Sequence, residues 1–509
     1  MNVDDSGHAA LRLPPTSYNF EMDTVTAQVY FDGLFYHYYD FHYYRMLALE
    51  VPVTTSPANV TLDASKGQPV SLNLQADPSA TSGLQQDDVA FYIRPDGSYV
   101  QSGYSLLGQT WSLYAVNNAT VKQGTFWTYD RWLVTRNPAT TSPVLYDISM
   151  TNHTQQPVIH TVNDLSAFAR TYATYHAGSA GPEAFGRWSF PMAFNETVSF
   201  TSFYPVVPTQ RIEFQQPTEA GSRQFFAPAD RSSRVDPPTW LWFDTPVTFN
   251  YFGSYQLGRV YAPGETLNET WGAQPIHPKL TLAQRQGDNL ILSGLEVVDN
   301  FGHFGTWIDN GVYFKMSVYV NGELSTVRTH LSSTGPVLTT DKPQLSFAPV
   351  NVSLPRKSAI VEVVMQLQPI RHWTGLATNG TSDIVFLTNS GQQGPIPLPT
   401  YNYDVKGLNL LNQAQLDNSE TLQVRVALLA PNGARIRPVD ASAEIAQTGA
   451  STWTSASVLN LGKDGMLVSA HIPATGRGYF FWISLRISVM TAEGIAYTET
   501  ITSAVEAVS

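Results

Sequence analysis

Val312-Tyr313-Phe314-Lys315-Met316-Ser317-Val318-Tyr319-Val320 runs directly into Asn321-Gly322. Successive side chains of an extended strand point to opposite faces, so this stretch offers two interleaved sets, and Asn-Gly suits the tight turn of a hairpin. The same alternation runs through Ala359-Ile360-Val361-Glu362-Val363-Val364-Met365 and Leu422-Gln423-Val424-Arg425-Val426-Ala427-Leu428. In Ile483-Ser484-Leu485-Arg486-Ile487-Ser488-Val489 the aliphatic set points one way and Ser484, Arg486 and Ser488 the other, as a half-buried sandwich strand requires. Short segments of this kind, separated by clusters of Gly, Pro, Asn and Asp, recur along the chain. They predict an all-β protein of tandem β-sandwich domains, immunoglobulin- or fibronectin-III-like, with minimal helix. The best helical candidate spans 163–172, where Asn163 can cap a first turn and Leu165, Phe168 and Tyr172 fall at helical spacing.

Composition bounds the function. At 509 residues the chain is more than three times a typical domain of about 150, so several domains are expected. Charged residues are 14% against a usual figure of about 25%, and aromatics reach 12%, which favours large buried cores over disorder. A net charge of −12 argues against nucleic acid and anionic membranes as partners. The absence of cysteine excludes disulfides, thiolate nucleophiles and Cys-ligated metal sites. Met1 to Gly7 lack the basic start and apolar core of a signal peptide, so either an export signal has been removed or the chain belongs to a longer product. The most apolar window, Gly478 to Arg486, is too short to span a bilayer. Proline-rich joints at 274–278 and 395–399 remove backbone donors and do not read as interior strands. They set off two sandwich-sized segments, 276–400 and 401–509. Weaker joints upstream divide the rest into an N-terminal β segment, 1–55, a sandwich-like domain, 56–160, and a β-rich domain with the short helix, 161–275.

Few residues group into recognisable chemistry. His37 and His42, in an aromatic run, differ by an odd number, so on a regular strand they face opposite sides and cannot share a metal without a bulge. Asp299, Asn300 and Asp309 supply the hard oxygens calcium prefers, as do Asp87 and Asp88, but without EF-hand spacing; turn formation explains such residues equally well. His303, between Gly302 and Phe304, has no partner fixed by sequence, and Glu213, Asp244, Glu265 and Glu269 have no spacing that pairs them for glycoside hydrolysis. Trp240 and Trp242 share a strand face and could stack on sugar rings, core packing being the competing use. Asn59, Asn118, Asn152, Asn195, Asn268, Asn351 and Asn379 head N-glycosylation triplets, a mild excess over chance. No cofactor is called for, with calcium the one candidate.

From about residue 160 onward a series of short landmarks keeps a definite order. It runs through Asp164-Leu165-Ser166, Tyr175-His176, Thr209 to Phe214, Tyr261 to Glu265, Glu269-Thr270-Trp271 and Arg285 to Leu290. Asp299 to Gly305, Tyr319 to Leu324, Arg371 to Thr374, Pro397-Leu398-Pro399, Ser451-Thr452-Trp453 and Tyr497 to Ile501 follow. Upstream, Val60 to Val70 is a further strand segment of the same kind. In this serial order the chain resembles the non-catalytic C-terminal region of actinobacterial-type subtilisin-like serine peptidases. The resemblance implies β-sandwich architecture, secretion and a position downstream of a peptidase domain. It does not transfer catalysis: Asp4-Asp5-Ser6-Gly7 superficially matches the family's Asp-Ser/Thr-Gly segment, but its His-Gly-Thr and Gly-Thr-Ser-Met segments occur nowhere here. The expectation is a non-catalytic extracellular protein with a binding, positioning or structural role. A secreted glycan-binding or adhesion protein is the alternative, and an unrecognised β-rich hydrolase ranks third. Polysaccharide, a protein substrate or copies of the chain itself are the partners to consider.

Overall fold

The computed structural model describes residues 11–14, 16–31, 36–56, 59–80, 82–107, 111–117, 121–136, 144–152, 159–176, 183–191, 200–207, 209–216, 220–227, 251–255, 261–301, 304–308, 312–331, 338–339, 342–343, 349–369, 379–389, 391, 393–416, 420–472 and 480–508. Among these residues the chain is all-β, and its helical elements are the single 3-10 turns Ala64–Lys66 and Gly462–Asp464. Val312–Val320 passes through Asn321 and Gly322 into Glu323–Leu331, with Val320 opposite Glu323. The two turn residues have φ of 51° and 82°, the left-handed pair that a type I′ hairpin needs and Asn-Gly tolerates.

Alternation in sequence becomes alternation in burial. Along Ala359–Pro369, Ala359, Val361, Val363 and Met365 are buried while Ile360, between the first two, is 53% exposed. Each buried aliphatic side chain contributes about 1.5–3 kcal/mol, so a one-residue slip of such a strand would forfeit a large part of the core. The helix expected over 163–172 does not form. Asp164 accepts the Ser166 N–H at 2.9 Å, Phe168 N–H donates to the Leu165 carbonyl at 3.0 Å, and the strand Ala169–Tyr175 follows at once. Leu165 and Phe168 share one tight turn, and from Ala169 the burial has period two, as Thr- and Tyr-rich sequence prefers.

The chain divides into two compact units. The first comprises Met1–Thr171, Ile212–Ala220 and Val260–Thr266. One of its sheets orders Thr16–Phe31, Tyr36–Val53, Trp111–Asn117, Gln68–Leu74 and Ile159–Val162. The other runs through Val144–Asn152, Thr125–Thr135, Ser82–Ile93 and Tyr99–Leu107, with Ile212 to Gln215 parallel to Val144–Asn152. Val70, Leu113 and Val162 of the first sheet pack against Trp132, Tyr146 and Ile148 of the second, which makes the pair a sandwich.

The second unit comprises Tyr172–Arg211, Gly221–Arg259 and Leu267–Ser509. Within it His277–Gln286 lies between Asn289–Val298 and the short edge strand Gly394–Ile396, so the Pro395 joint falls at a sheet edge. Pro278, by contrast, sits at the second position of a strand, opposite Val297. A longer sheet orders Glu323–Leu331, Val312–Val320, Ala359–Pro369, Asn379–Thr388, Ala496–Val508, Phe480–Thr491 and Pro438–Gln447. It continues through Thr454–Asn460, Met466–His471, Thr421–Leu429 and Thr400–Val405. One hydrophobic cluster draws on many of these strands and includes Leu290, Val318, Val363, Ile384, Val426 and Ile487.

Candidate functional site

Several ionisable groups in the first unit are buried and paired. Asp87 and Asp88 are adjacent on Ser82–Ile93, so their side chains leave opposite faces of the sheet and cannot close on one ion. Asp88 contacts the Arg45 guanidinium, both being 1% exposed. Asp87 faces Arg131 at 3.5 Å, and Arg131 also forks onto Asp147 at 2.7 and 2.8 Å, the two-pronged geometry that makes arginine a strong carboxylate partner. On the same face Gln85 donates to Asp87 at 2.7 Å, and Gln215 links Glu213 to Thr171. His160 approaches Asp130 at 3.2 Å with its ring 5.0 Å from that of Trp132.

Glu50 does a different job. Its carboxylate accepts the Tyr92 hydroxyl at 2.7 Å and the backbone N–H groups of Lys122, Gln123 and Gly124, pinning that loop to Tyr36–Val53. Burial pulls its pKa upward, but these donors outweigh that and hold it at about 2, while Tyr92 is pushed up to about 12 by burial and by Glu50. Gly124 is needed there, because a Cβ would come within 2.5 Å of the Ile93 carbonyl and the Tyr92 ring.

In the second unit Glu499 is a fully buried carboxylate. Ser382 donates to it at 2.6 Å, Tyr497 at 3.0 Å, Tyr403 through its hydroxyl, and His277 Nδ1 lies 3.3 Å away. Tyr401 stacks on Tyr497 at 4.3 Å and donates to the Tyr497 carbonyl at 2.9 Å. Burial raises the Glu499 pKa, yet the His277 imidazole and the hydroxyls of Ser382 and Tyr403 outweigh it and keep the group below the ordinary range. Burial and the Glu499 charge push Tyr403 and Tyr497 well above theirs. The set is legible only in retrospect: Tyr401 with Tyr403, and Tyr497 with Glu499, are i and i+2 pairs that share a strand face.

Among the described residues a cleft of about 540 Å³ lies in the first unit's sandwich. Gln68–Leu74 and the loop 75–80 form one wall, and the beginning of Ser82–Ile93 with the end of Thr125–Thr135 forms the other. Ser71, Asn73, Gln75 and Gln86 are the polar residues among its lining, with Leu72, Trp132 and Val134 among the apolar ones. Asp77 makes the loop rigid from behind: it accepts from Ser79 at 2.5 Å, from Arg136 at 2.6 Å and from the Tyr146 hydroxyl. Burial works to raise the Asp77 pKa, but these bonds together hold it at about 2. Sequence reading missed this cleft. Its signal is a concentration of amides, Asn73, Gln75, Gln85 and Gln86, within fourteen residues of sequence.

The residues singled out from sequence fare unevenly. Trp240, Trp242, Asp244, His303 and Asp309 lie outside the described residues, as do the sequons at Asn118 and Asn195. Asn152 is placed on the strand Val144–Asn152. Asn59, Asn268, Asn351 and Asn379 are all exposed, as a glycan acceptor must be. Asp299 is fully buried, and its carboxylate accepts the N–H groups of Gly272 and Phe301 at 3.1 and 3.0 Å, while Asn300 N–H donates to the Ala273 carbonyl. These bonds belong to a polar knot that also holds His176, whose ring nitrogen meets the Asn409 carbonyl at 2.9 Å. Burial lowers the His176 pKa. Glu213 is buried in its amide chain, and Glu265 accepts the Ala262 N–H at 3.1 Å.

The histidine parity changes as well. A register shift between the pairs Thr26–His42 and Gln28–Tyr39 adds a residue to Tyr36–Val53, so His37 and His42 oppose Tyr30 and Thr26, positions of the same parity. The bulge removes the parity objection but leaves the two histidines four pairs apart, about 13 Å along a strand and too far for one metal ion. Among the described residues no group of three or more metal-ligating side chains assembles.

No protein-family model matches the chain, and no curated protein does. Among solved structures the chain is similar to the tetra-tandem repeat in the extending region of a large adhesion protein, at 10% identity over 86% of this chain and 98% of that one, with a TM-score of 0.15. Likeness at that level leaves the fold to be argued from the strands themselves, which are β throughout.

Proposed function

We propose that this chain is a non-catalytic, multi-domain extracellular protein that binds or positions, in the manner of the accessory region of a secreted subtilisin-like peptidase. The observation that carries the reading is the separation of charge from access. Asp87, Asp88, Arg45, Arg131, His277 and Glu499 are each at most 1% exposed and are occupied with one another or with hydroxyl donors, whereas the open cleft is lined by uncharged side chains. A general acid or base has to reach its substrate, so groups sealed in a sandwich serve architecture. The serial landmarks and the exposed sequons support the extracellular, peptidase-associated part of the reading.

Two measurements test it. The purified chain should leave chromogenic peptides and glycosides unhydrolysed, and turnover would overturn the non-catalytic reading. Mass spectrometry of the native protein should find a precursor that also carries the His-Gly-Thr and Gly-Thr-Ser-Met segments. A native product without them would overturn the peptidase association and favour a free-standing binding protein.

A further inference from the structure

We infer that the cleft of the first unit is a binding site for a neutral, hydroxyl-rich ligand, a short oligosaccharide of uncharged sugars. The inference goes beyond the proposed function and stands whether or not a peptidase accompanies the chain.

The lining decides the ligand's chemistry. Among the described residues no Asp, Glu, Lys, Arg or His lines the cleft, so a charged ligand would shed its hydration there and meet no counter-charge from them. The net charge of −12 further disfavours uronic or sulfated sugars. What the walls do offer is primary amides, Asn73 and Gln75 from one side and Gln86 from the other. Each amide carries both a donor and an acceptor, and a sugar hydroxyl does the same, so neighbouring hydroxyls can be held from both walls. Gln86 keeps its own orientation because its Nε2 donates to the Val70 carbonyl at 2.8 Å. Leu72, Val134 and the indole of Trp132 provide apolar surface of the kind that covers the C–H face of a pyranose. At about 540 Å³ the cleft falls within the range of about 300–1,000 Å³ typical of small-molecule sites.

The wall is built in advance: Asp77 ties the loop 75–80 to Arg136 and Tyr146, so little ordering has to accompany binding. Asp77 is thus a positioning residue that acts through the loop.

The test uses the full chain and three classes of probe: neutral trisaccharides of glucose, mannose and N-acetylglucosamine, a trigalacturonate, and trialanine. Isothermal titration calorimetry should detect at least one neutral trisaccharide binding more tightly than about 1 mM, with trigalacturonate and trialanine silent up to about 10 mM. Binding should shift one indole ¹⁵N–¹H resonance, the one that disappears in Trp132→Phe. The double variant Asn73→Ala/Gln75→Ala, both exposed side chains, should lose about tenfold in affinity at an unchanged melting temperature. The inference is overturned if every neutral trisaccharide is silent, if trialanine or trigalacturonate binds as well as the best of them, or if the double variant binds as tightly as the parent. Hydrolysis of a bound trisaccharide would support the site and overturn the non-catalytic reading, so the two failures are distinguishable.

Discussion

Two clusters of buried carboxylates, one in each unit, are held by different chemistry. In the first, Asp87, Asp88 and Asp147 are answered by the guanidinium groups of Arg45 and Arg131, full charge against full charge. In the second, Glu499 is surrounded by the hydroxyls of Ser382, Tyr403 and Tyr497 and by one imidazole. An arginine pair recovers its desolvation cost only while both partners stay, whereas a carboxylate held by several neutral donors spreads that recovery over many weaker bonds. The first arrangement should therefore fail abruptly when one member is removed, and the second by degrees.

The sharpest way to break that contrast is Arg131→Met, which strands two buried carboxylates. It should lower stability by about 3–5 kcal/mol in urea denaturation. Replacing Asp87, Arg131 and Asp147 together by apolar residues of matched volume should recover most of the loss. A single variant no worse than a surface substitution would dissolve the distinction between the units. Next in size is Glu499→Gln, which keeps an acceptor for the hydroxyls but gives up the charge, at about 1.5–3 kcal/mol by the same measurement. Asp77→Asn should cost about 1 kcal/mol, since its Arg136 partner is 46% exposed and the pair is partly screened by solvent.

The smallest effects are read against pH. Glu50 and Asp77 are held at about 2 in the fold against 4.5 and 3.8 when free. A carboxylate with a depressed folded pKa contributes stability that is fully present above the free value and drains away as pH falls towards the folded one. The melting temperature should therefore drop between about pH 4.5 and pH 2, and Glu50→Gln should flatten part of that decline. A decline of unchanged steepness in Glu50→Gln would remove the carboxylate clamp on residues 122–124 from the account.

The fold was legible because its signal is local. Alternation at 359–365, 422–428 and 483–489 and the Asn321-Gly322 turn need only neighbouring residues to be understood, and all four are realised. The segment 163–172 misled because Leu165 and Phe168 satisfy one helical turn and one tight turn equally, and the decision lies in the strand that follows. The polar sites were hidden for the opposite reason. Asp87 meets Arg131 44 positions away in register, Ser382 meets Glu499 across 117, and the cleft draws its amides from separate strands. The bonds that Asp299 accepts from the N–H groups of Gly272 and Phe301 were hidden likewise, because its residue type fits a calcium ligand and a turn residue equally.

Asn379–Thr388 is hydrogen-bonded on one side to Ala359–Pro369 and on the other to Ala496–Val508, with Asn379 opposite Thr502. During synthesis the second of these neighbours is more than a hundred residues from emerging when the first is already in place. Until the ribosome delivers it, the nascent sheet carries an open edge, the kind that recruits strands from other chains. Crowded translation of this protein thus has a window of vulnerability that closes only when residues 496–502 clear the exit tunnel.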